Sequence, residues 1–172
     1  MRRLHFSATE SVAVHGSSAS AWAFVDRLPQ ALAEFAFVRE VLEGKTPRSY
    51  VLVLGPVGYG KVSMTLRMEM AVSRDIGSRI VMQSVPGEGN ADATVSVQVV
   101  PSPEAGHEHC SLQISLEVSP HKPAAAFWPR ELIERASSAS LKLAARRMLA
   151  NMKAAIEADG LAPSLHSRRA TA

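Results

Sequence analysis

The chain has 172 residues, 47% of them hydrophobic and 20% charged, with a formal net charge of +3. This is the balance of an ordinary globular domain, one long enough to bury about two-thirds of the surface its unfolded form exposes without help from metals or disulfides. It excludes a disordered or disulfide-stapled chain, and no apolar run approaches the roughly 18 residues of a membrane-spanning helix.

The single cysteine, Cys110, cannot pair within the chain and sits in an alternating apolar pattern, where a free cysteine behaves as a small buried hydrophobe. A reducing compartment is the natural inference. Arg2 and Arg3 stand at the N-terminus, but Ser7, Thr9, Glu10 and Ser11 interrupt the apolar stretch that a secretory leader needs. The expectation is therefore a cytoplasmic protein. Part of the small positive charge lies at Arg168 and Arg169, and no strand carries the concentrated basic stripe of a nucleic-acid surface, so nucleic acid is not indicated as a partner.

In chain order, Leu4, Phe6, Ala8, Val12 and Val14 alternate with mostly polar neighbours and predict a first, half-buried strand. His15 to Ser18 break it, and Ser18 is a suitable N-cap for a short helix carrying Trp22, Phe24 and Val25, with Trp22 expected to be largely buried. Pro29 ends or kinks that helix, and Ala31, Leu32 and Phe35 suggest a second one. Short strands are predicted from Phe37 to Glu43 and from Tyr50 to Leu54, closed by Gly44 and Pro47 and by Gly55 and Pro56. The clearest strand comes next, because Val62, Met64, Leu66, Met68, Met70 and Val72 occupy every second position; a helix would scatter them around its circumference. Asp75, Ile76 and Gly77 form a turn into a strand at Arg79 to Val85, and Pro86, Gly87, Gly89 and Asn90 make the next break. Two more alternating runs carry Ala93, Val95, Val97 and Val99, then Cys110, Leu112, Ile114, Leu116 and Val118. One apolar and one polar face mark an antiparallel sheet.

From Pro129 to Asp159 there is no interior glycine or proline, and the residues are mainly Ala, Leu, Arg, Glu, Lys and Met. This is a long helix of about 45 Å, with Glu131 and Glu134 suited to its start and Gly160 and Pro163 beyond its end. Leu132, Ala136, Ser140, Leu143, Met148, Met152 and Ile156 supply its expected inward stripe. Residues 161–172 form a short basic tail, expected to be disordered, after one domain over residues 1–160.

Gly55-Pro56-Val57-Gly58-Tyr59-Gly60-Lys61 matches the first seven positions of a phosphate-binding loop. The chemistry needs a hydroxyl after the lysine and a helix whose N–H groups face the phosphates. Val62 takes the hydroxyl position, and the segment after Lys61 has the period of a strand. A hairpin connection with a solvated Lys61 explains the segment, and no nucleotide is expected. His107, His109 and Cys110 have the residue types of a zinc site, but H-x-H-C is a poor spacing for one and suits loop histidines before a buried cysteine; neither metal nor cofactor is expected. Acid–base chemistry would need a carboxylate or histidine on the inner face of the sheet. The best-defined inner faces show none, since Arg67, Glu69, Asp92 and Glu117 fall on polar faces, where solvated charge is the expectation. No serine stands in a G-x-S-x-G elbow and Cys110 has no evident base partner, so no catalytic residue is assigned.

Met64, Met68 and Met70 share one face of one strand and Met82 belongs to the next. Flexible thioethers suit a cavity with a changeable occupant, and they also suit a core. The opening residues, Val12 and Val14 followed by Gly16-Ser17-Ser18-Ala19-Ser20-Ala21-Trp22-Ala23-Phe24-Val25-Asp26, and the order strand, two short helices, six strands and long helix, resemble the helix-grip fold of the START and Bet v 1-like (SRPBCC, polyketide cyclase-like) superfamily over most of residues 3–159. The resemblance implies an α+β fold in which a curved antiparallel sheet of about seven strands wraps the C-terminal helix. It also implies a cavity between them for a lipid, sterol, polyketide or other apolar ligand. The expected lining comes from Met64, Leu66, Met68, Met82, Val97, Leu112, Ile114 and Leu143, with unfilled space against the Met64 to Met70 face. A cyclase- or hydratase-type enzyme and a protein-binding module without a ligand are the alternatives. A buried carboxylate in the cavity would favour the first, and an exposed apolar patch with no cavity the second. The sequence leaves ligand identity and oligomeric state open.

Overall fold

The computed structural model describes residues 4–59, 62–102, 108–121 and 130–161. Strand β1 (Phe6–His15) is followed by helices α1 (Ser18–Val25) and α2 (Leu28–Ala31), with a 3-10 turn at Leu32–Glu34. Six strands come next: β2 (Val38–Glu43), β3 (Ser49–Tyr59), β4 (Val62–Asp75), β5 (Arg79–Gly89), β6 (Ala91–Pro101) and β7 (His109–Pro120). Helix α3 (Arg130–Leu161) closes the order. The strands form a seven-stranded sheet in the order β1-β7-β6-β5-β4-β3-β2, antiparallel at every pairing, and it curls into a half-barrel. The α+β helix-grip arrangement expected from the sequence is the one observed.

Register explains the curl. Residues directly opposite one another share a face, so Phe6, Ala8, Glu10, Val12 and Val14 of β1 stand with Val118, Leu116, Ile114, Leu112 and Cys110 of β7. The same concave face continues through Val97 and Val95 to Ile80 and Met82, then to Val72, Met70 and Met68, and on to Tyr50 and Leu52. Register shifts between Leu54 and Val57 and between Met68 and Met70 bend the long strands, as bulges do. At the second shift Gly89 adopts φ 119°, and a Cβ there would collide with the Arg67 carbonyl. Asn90 then stitches the β5–β6 connection to β4: its side chain accepts from the Arg67 N–H at 2.8 Å and donates to the Thr65 carbonyl at 2.9 Å.

Helix α1 is capped by Ser17, one residue before the expected Ser18, whose hydroxyl accepts from the Ser20 N–H at 3.1 Å. Ala21 and Val25 are its buried residues, while Trp22 is only half-buried against the core. The inward position that the sequence reading gave to tryptophan is held by its small neighbour. Arg74, at the end of β4, donates to Asp26 Oδ1 at 2.7 Å and to the Asp26 carbonyl at 3.2 Å, pinning the end of α1 to the sheet.

The 32 residues of α3 pack chiefly along β1, with lesser contact on β7 and α1, and the helix is divided. Its second half is sealed by Ala145, Met148, Leu149, Met152 and Ile156, all buried. In its first half Ile133, Glu134, Ala136, Ser137, Ser138 and Leu141 are only half-buried. The stripe expected from the sequence is out of phase there. Ser140 is exposed and Leu143 is 49% exposed, whereas Leu141 packs on the core. One residue of slip rotates a helical position by about 100°, which carries Leu143 off the inward face.

Candidate functional site

The concave face is the floor of the site. Leu66, Met68, Met82, Val97, Leu112 and Ile114 lie on it and are exposed by 4% or less. Met64 pairs through its backbone with Val57, and its side chain lies outside the described residues. The floor residues form one continuous core with Met148, Met152 and Ile156 of α3. A side chain without water-accessible surface has no water-sized void beside it, so this floor is close-packed in the state described. The space expected against the methionines is not found there among the described residues.

Open space lies elsewhere. A cleft of about 220 Å³ between the short helices and the second half of α3 is lined by Phe24, Phe35, Ala154 and Ala155, with Glu34 and Asn151. A second, of about 290 Å³, is lined by the outer-face polar residues Asp92, Thr94, Glu117 and Ser119, with Ser84 beside them. Incomplete burial on the inner side is found at Val12, Tyr50 and Val95 and along the first half of α3, which presents the short side chains Ser137 and Ser138 where the second half presents Met148 and Met152.

The inner face also carries the polar group that sequence reading missed. Glu10 is opposite Ile114 in register and so shares its face. Its side chain, 16% exposed, meets Arg146 at 3.2 Å and Lys142 at 3.5 Å. The expectation of an inner face without a carboxylate is thereby corrected. The signal was legible: Glu10 has the same parity as Ala8 and Val12. Glu69 departs in the opposite way. It lies on the outer face, as expected, but is 4% exposed rather than solvated, because the β2–β3 connection covers it.

The remaining candidates do not converge. Cys110 faces inward with Val14, and burial pushes its thiol up from the ordinary value, which suppresses the thiolate that both metal binding and nucleophilic attack require. His109 faces the other way, since successive strand residues alternate; its ring meets that of His15 edge-on at 4.7 Å. His107 lies outside the described residues, and among those described no three His, Cys, Asp or Glu residues cluster as a metal site. At the phosphate-loop-like segment, Gly60 and Lys61 are outside the described residues, but Tyr59 pairs with Val62 across a hairpin. Strand β4 occupies the place where a phosphate loop would need a helix.

No protein-family model matches the sequence, and no curated protein matches it. Solved structures do. A Streptomyces aromatase/cyclase superposes with a TM-score of 0.69 at 9% identity, over 93% of this chain and 98% of that one. A START superfamily protein from Mycobacterium smegmatis gives 0.60 at 14% identity, over 87% and 98% of the two chains. Norcoclaurine synthase from Thalictrum flavum, a point mutant in complex with a transition-state analogue, gives 0.57 at 15%, over 93% and 99%. At such identities the likeness is one of architecture. With its curled sheet, paired short helices and long terminal helix, the chain has the helix-grip fold of the START and Bet v 1-like superfamily.

Proposed function

We propose that this protein binds an apolar small molecule of lipid, sterol or polyketide type between the concave face of the sheet and the first half of α3. The observation that carries this reading is the division of α3: one half sealed by large apolar side chains, the other only half-buried and including the small residues Ala136, Ser137 and Ser138, above a mainly apolar floor. Leu66, Met68, Met82, Val97, Leu112 and Ile114, with Met64, form that floor in the proposal. A ligand reaches them as the first half of α3 lifts and the methionines repack, a change that unbranched thioethers accommodate readily. Leu143, turned outward, is removed from the lining. The fold's presence in proteins named as START, cyclase and synthase supports the same reading. No nucleotide, nucleic acid or metal enters it, and the buried, unpaired Cys110 suits a cytoplasmic location. Among the described residues no helix is long and apolar enough to cross a membrane.

A cyclase-type enzyme is the second reading, favoured by Glu10 on the inner face. Both oxygens of Glu10 are engaged by cations, which suits a binding role better than proton transfer, so binding is placed first. Native mass spectrometry of protein purified from its own host tests the proposal. The expected result is a non-covalent adduct of a few hundred daltons, lost on extraction with organic solvent. An adduct-free protein that also fails to bind an apolar fluorescent dye would leave the protein-binding module as the better reading.

A further inference from the structure

Glu10, Lys142 and Arg146 meet at the place where α3 passes from half-buried to sealed. Glu10 Oε1 is 3.5 Å from Lys142 Nζ and Glu10 Oε2 is 3.2 Å from Arg146 Nε. The two cations are one turn apart on α3, with side chains 55% and 61% exposed, against 16% for the carboxylate. Along β1 the neighbours of Glu10 on the same face are Ala8 and Val12, and Ile114 lies opposite. The charged residue Glu117 of β7 lies on the outer face. On α3 itself Glu134 is about two turns away.

Two cations against one carboxylate leave one excess positive charge beside an apolar wall, at the seam through which a ligand would pass beneath the first half of α3. A latch that only held the helix to β1 would need one cation. We propose that the ligand is an amphipathic monoanion, a carboxylic acid with an apolar body, whose head is held by Lys142 and Arg146 while its body lies on the concave face. This rests on the binding reading above and specifies the ligand's chemistry. A carboxylate matches the planar donor fork of arginine. Its single charge neutralises the cluster, whereas a phosphate monoester, carrying about −1.5 to −2, would leave it negative in the presence of Glu10.

Calorimetric titration of the full chain with dodecanoate and dodecyl phosphate, each below its micelle concentration, and with dodecanol below its solubility limit tests the assignment. Dodecanoate is expected to bind about tenfold tighter than dodecanol and tighter than dodecyl phosphate. The double variant Lys142→Met, Arg146→Met should bring the acid down to the alcohol's affinity. Glu10→Gln should tighten dodecanoate severalfold by removing the competing carboxylate, an effect that a merely structural latch would not produce. Equal binding of acid and alcohol, or weaker binding of the acid by Glu10→Gln, would overturn the assignment and leave the apolar pocket standing. A preference for dodecyl phosphate would overturn the carboxylate head. Failure of all three probes to bind would overturn the pocket and its head group together.

Discussion

Ser49 donates its hydroxyl hydrogen to Glu69 at 2.6 Å, joining the start of β3 to the middle of β4 on the outer face of the sheet. Glu69 also accepts from the Lys45 N–H at 2.8 Å, so one buried carboxylate fastens the whole β2–β3 connection. The Ser49 hydrogen bond is the largest influence on its titration. With the Lys45 and Thr46 backbone donors it outweighs burial, which pulls the other way, and holds the Glu69 carboxyl below its ordinary value.

A pH dependence results from that direction. A carboxyl lowered in the folded state adds stability that is complete above its unfolded value, about 4.3, and is lost as pH falls through the folded one. Urea melts of the native chain and of Glu69→Gln should therefore differ most at neutral pH, the native chain being the more stable, and the difference should shrink as pH falls below about 4. A difference independent of pH would show that the carboxylate charge contributes nothing there.

The same connection makes Gly44 irreplaceable on steric grounds. A Cβ at this position would collide with the Ser49 hydroxyl and come within 2.7 Å of the Glu69 carboxylate. Gly44→Ala should destabilise the chain by about 1–3 kcal/mol, the range of forced overpacking. Thermal melts compared with an alanine at Gly77, which meets nothing within 4 Å but has φ 82°, would separate collision from backbone strain. Equal losses would rule out the collision.

The phase of α3 is checked by a pair of substitutions. Met152 is fully buried and Leu143 is 49% exposed, so Met152→Ala should cost about 2–5 kcal/mol and Leu143→Ala no more than about 0.5 kcal/mol in denaturant melts. A loss for Leu143→Ala as large as that for Met152→Ala would restore the stripe expected from sequence. That stripe could not be phased because Ala136 to Ser140 are all small, so hydrophobicity gives no contrast from one side of the helix to the other. Only the sheet beneath decides which of them face it.

Elsewhere the sequence is more explicit. In β7 the alternation of large apolar and polar residues is unbroken, and in β4 Leu66, Met68, Met70 and Val72 keep it; these residues land on the concave face as the pleat requires. The same parity places Glu10 inside, and only its charge argues against it; the cations that make the position tolerable stand more than 130 residues later in the chain. Glu69 is hidden for a related reason, since the residues that cover it, Lys45 and Ser49, stand 24 and 20 positions earlier in the chain. The extension of β5 to Gly89 and its return to β4 depend on a bulge, and a bulge is a property of two strands together.

Asn90 should prove costly to replace for its size. Asn90→Ala removes both side-chain hydrogen bonds to β4 and should cost about 1–2 kcal/mol, as each bond contributes about 1 kcal/mol. Asn90→Asp, which keeps the acceptor for the Arg67 N–H but loses the donor to the Thr65 carbonyl, should fall between the two in chemical denaturation. A loss below about 0.5 kcal/mol for the alanine would mean that Gly89 alone sets the bend.

The divided burial of α3 bears on how the helix breathes. Backbone amides open in cooperative units whose stability follows the apolar surface each unit buries. Amides from about Ile133 to Leu141 should therefore exchange with deuterated solvent well before those from Met148 to Ile156, although both belong to one unbroken helix. The first half can leave the sheet while Met148, Met152 and Ile156 keep the second half docked, so a guest could come and go on the timescale of local opening, without waiting for the chain to unfold.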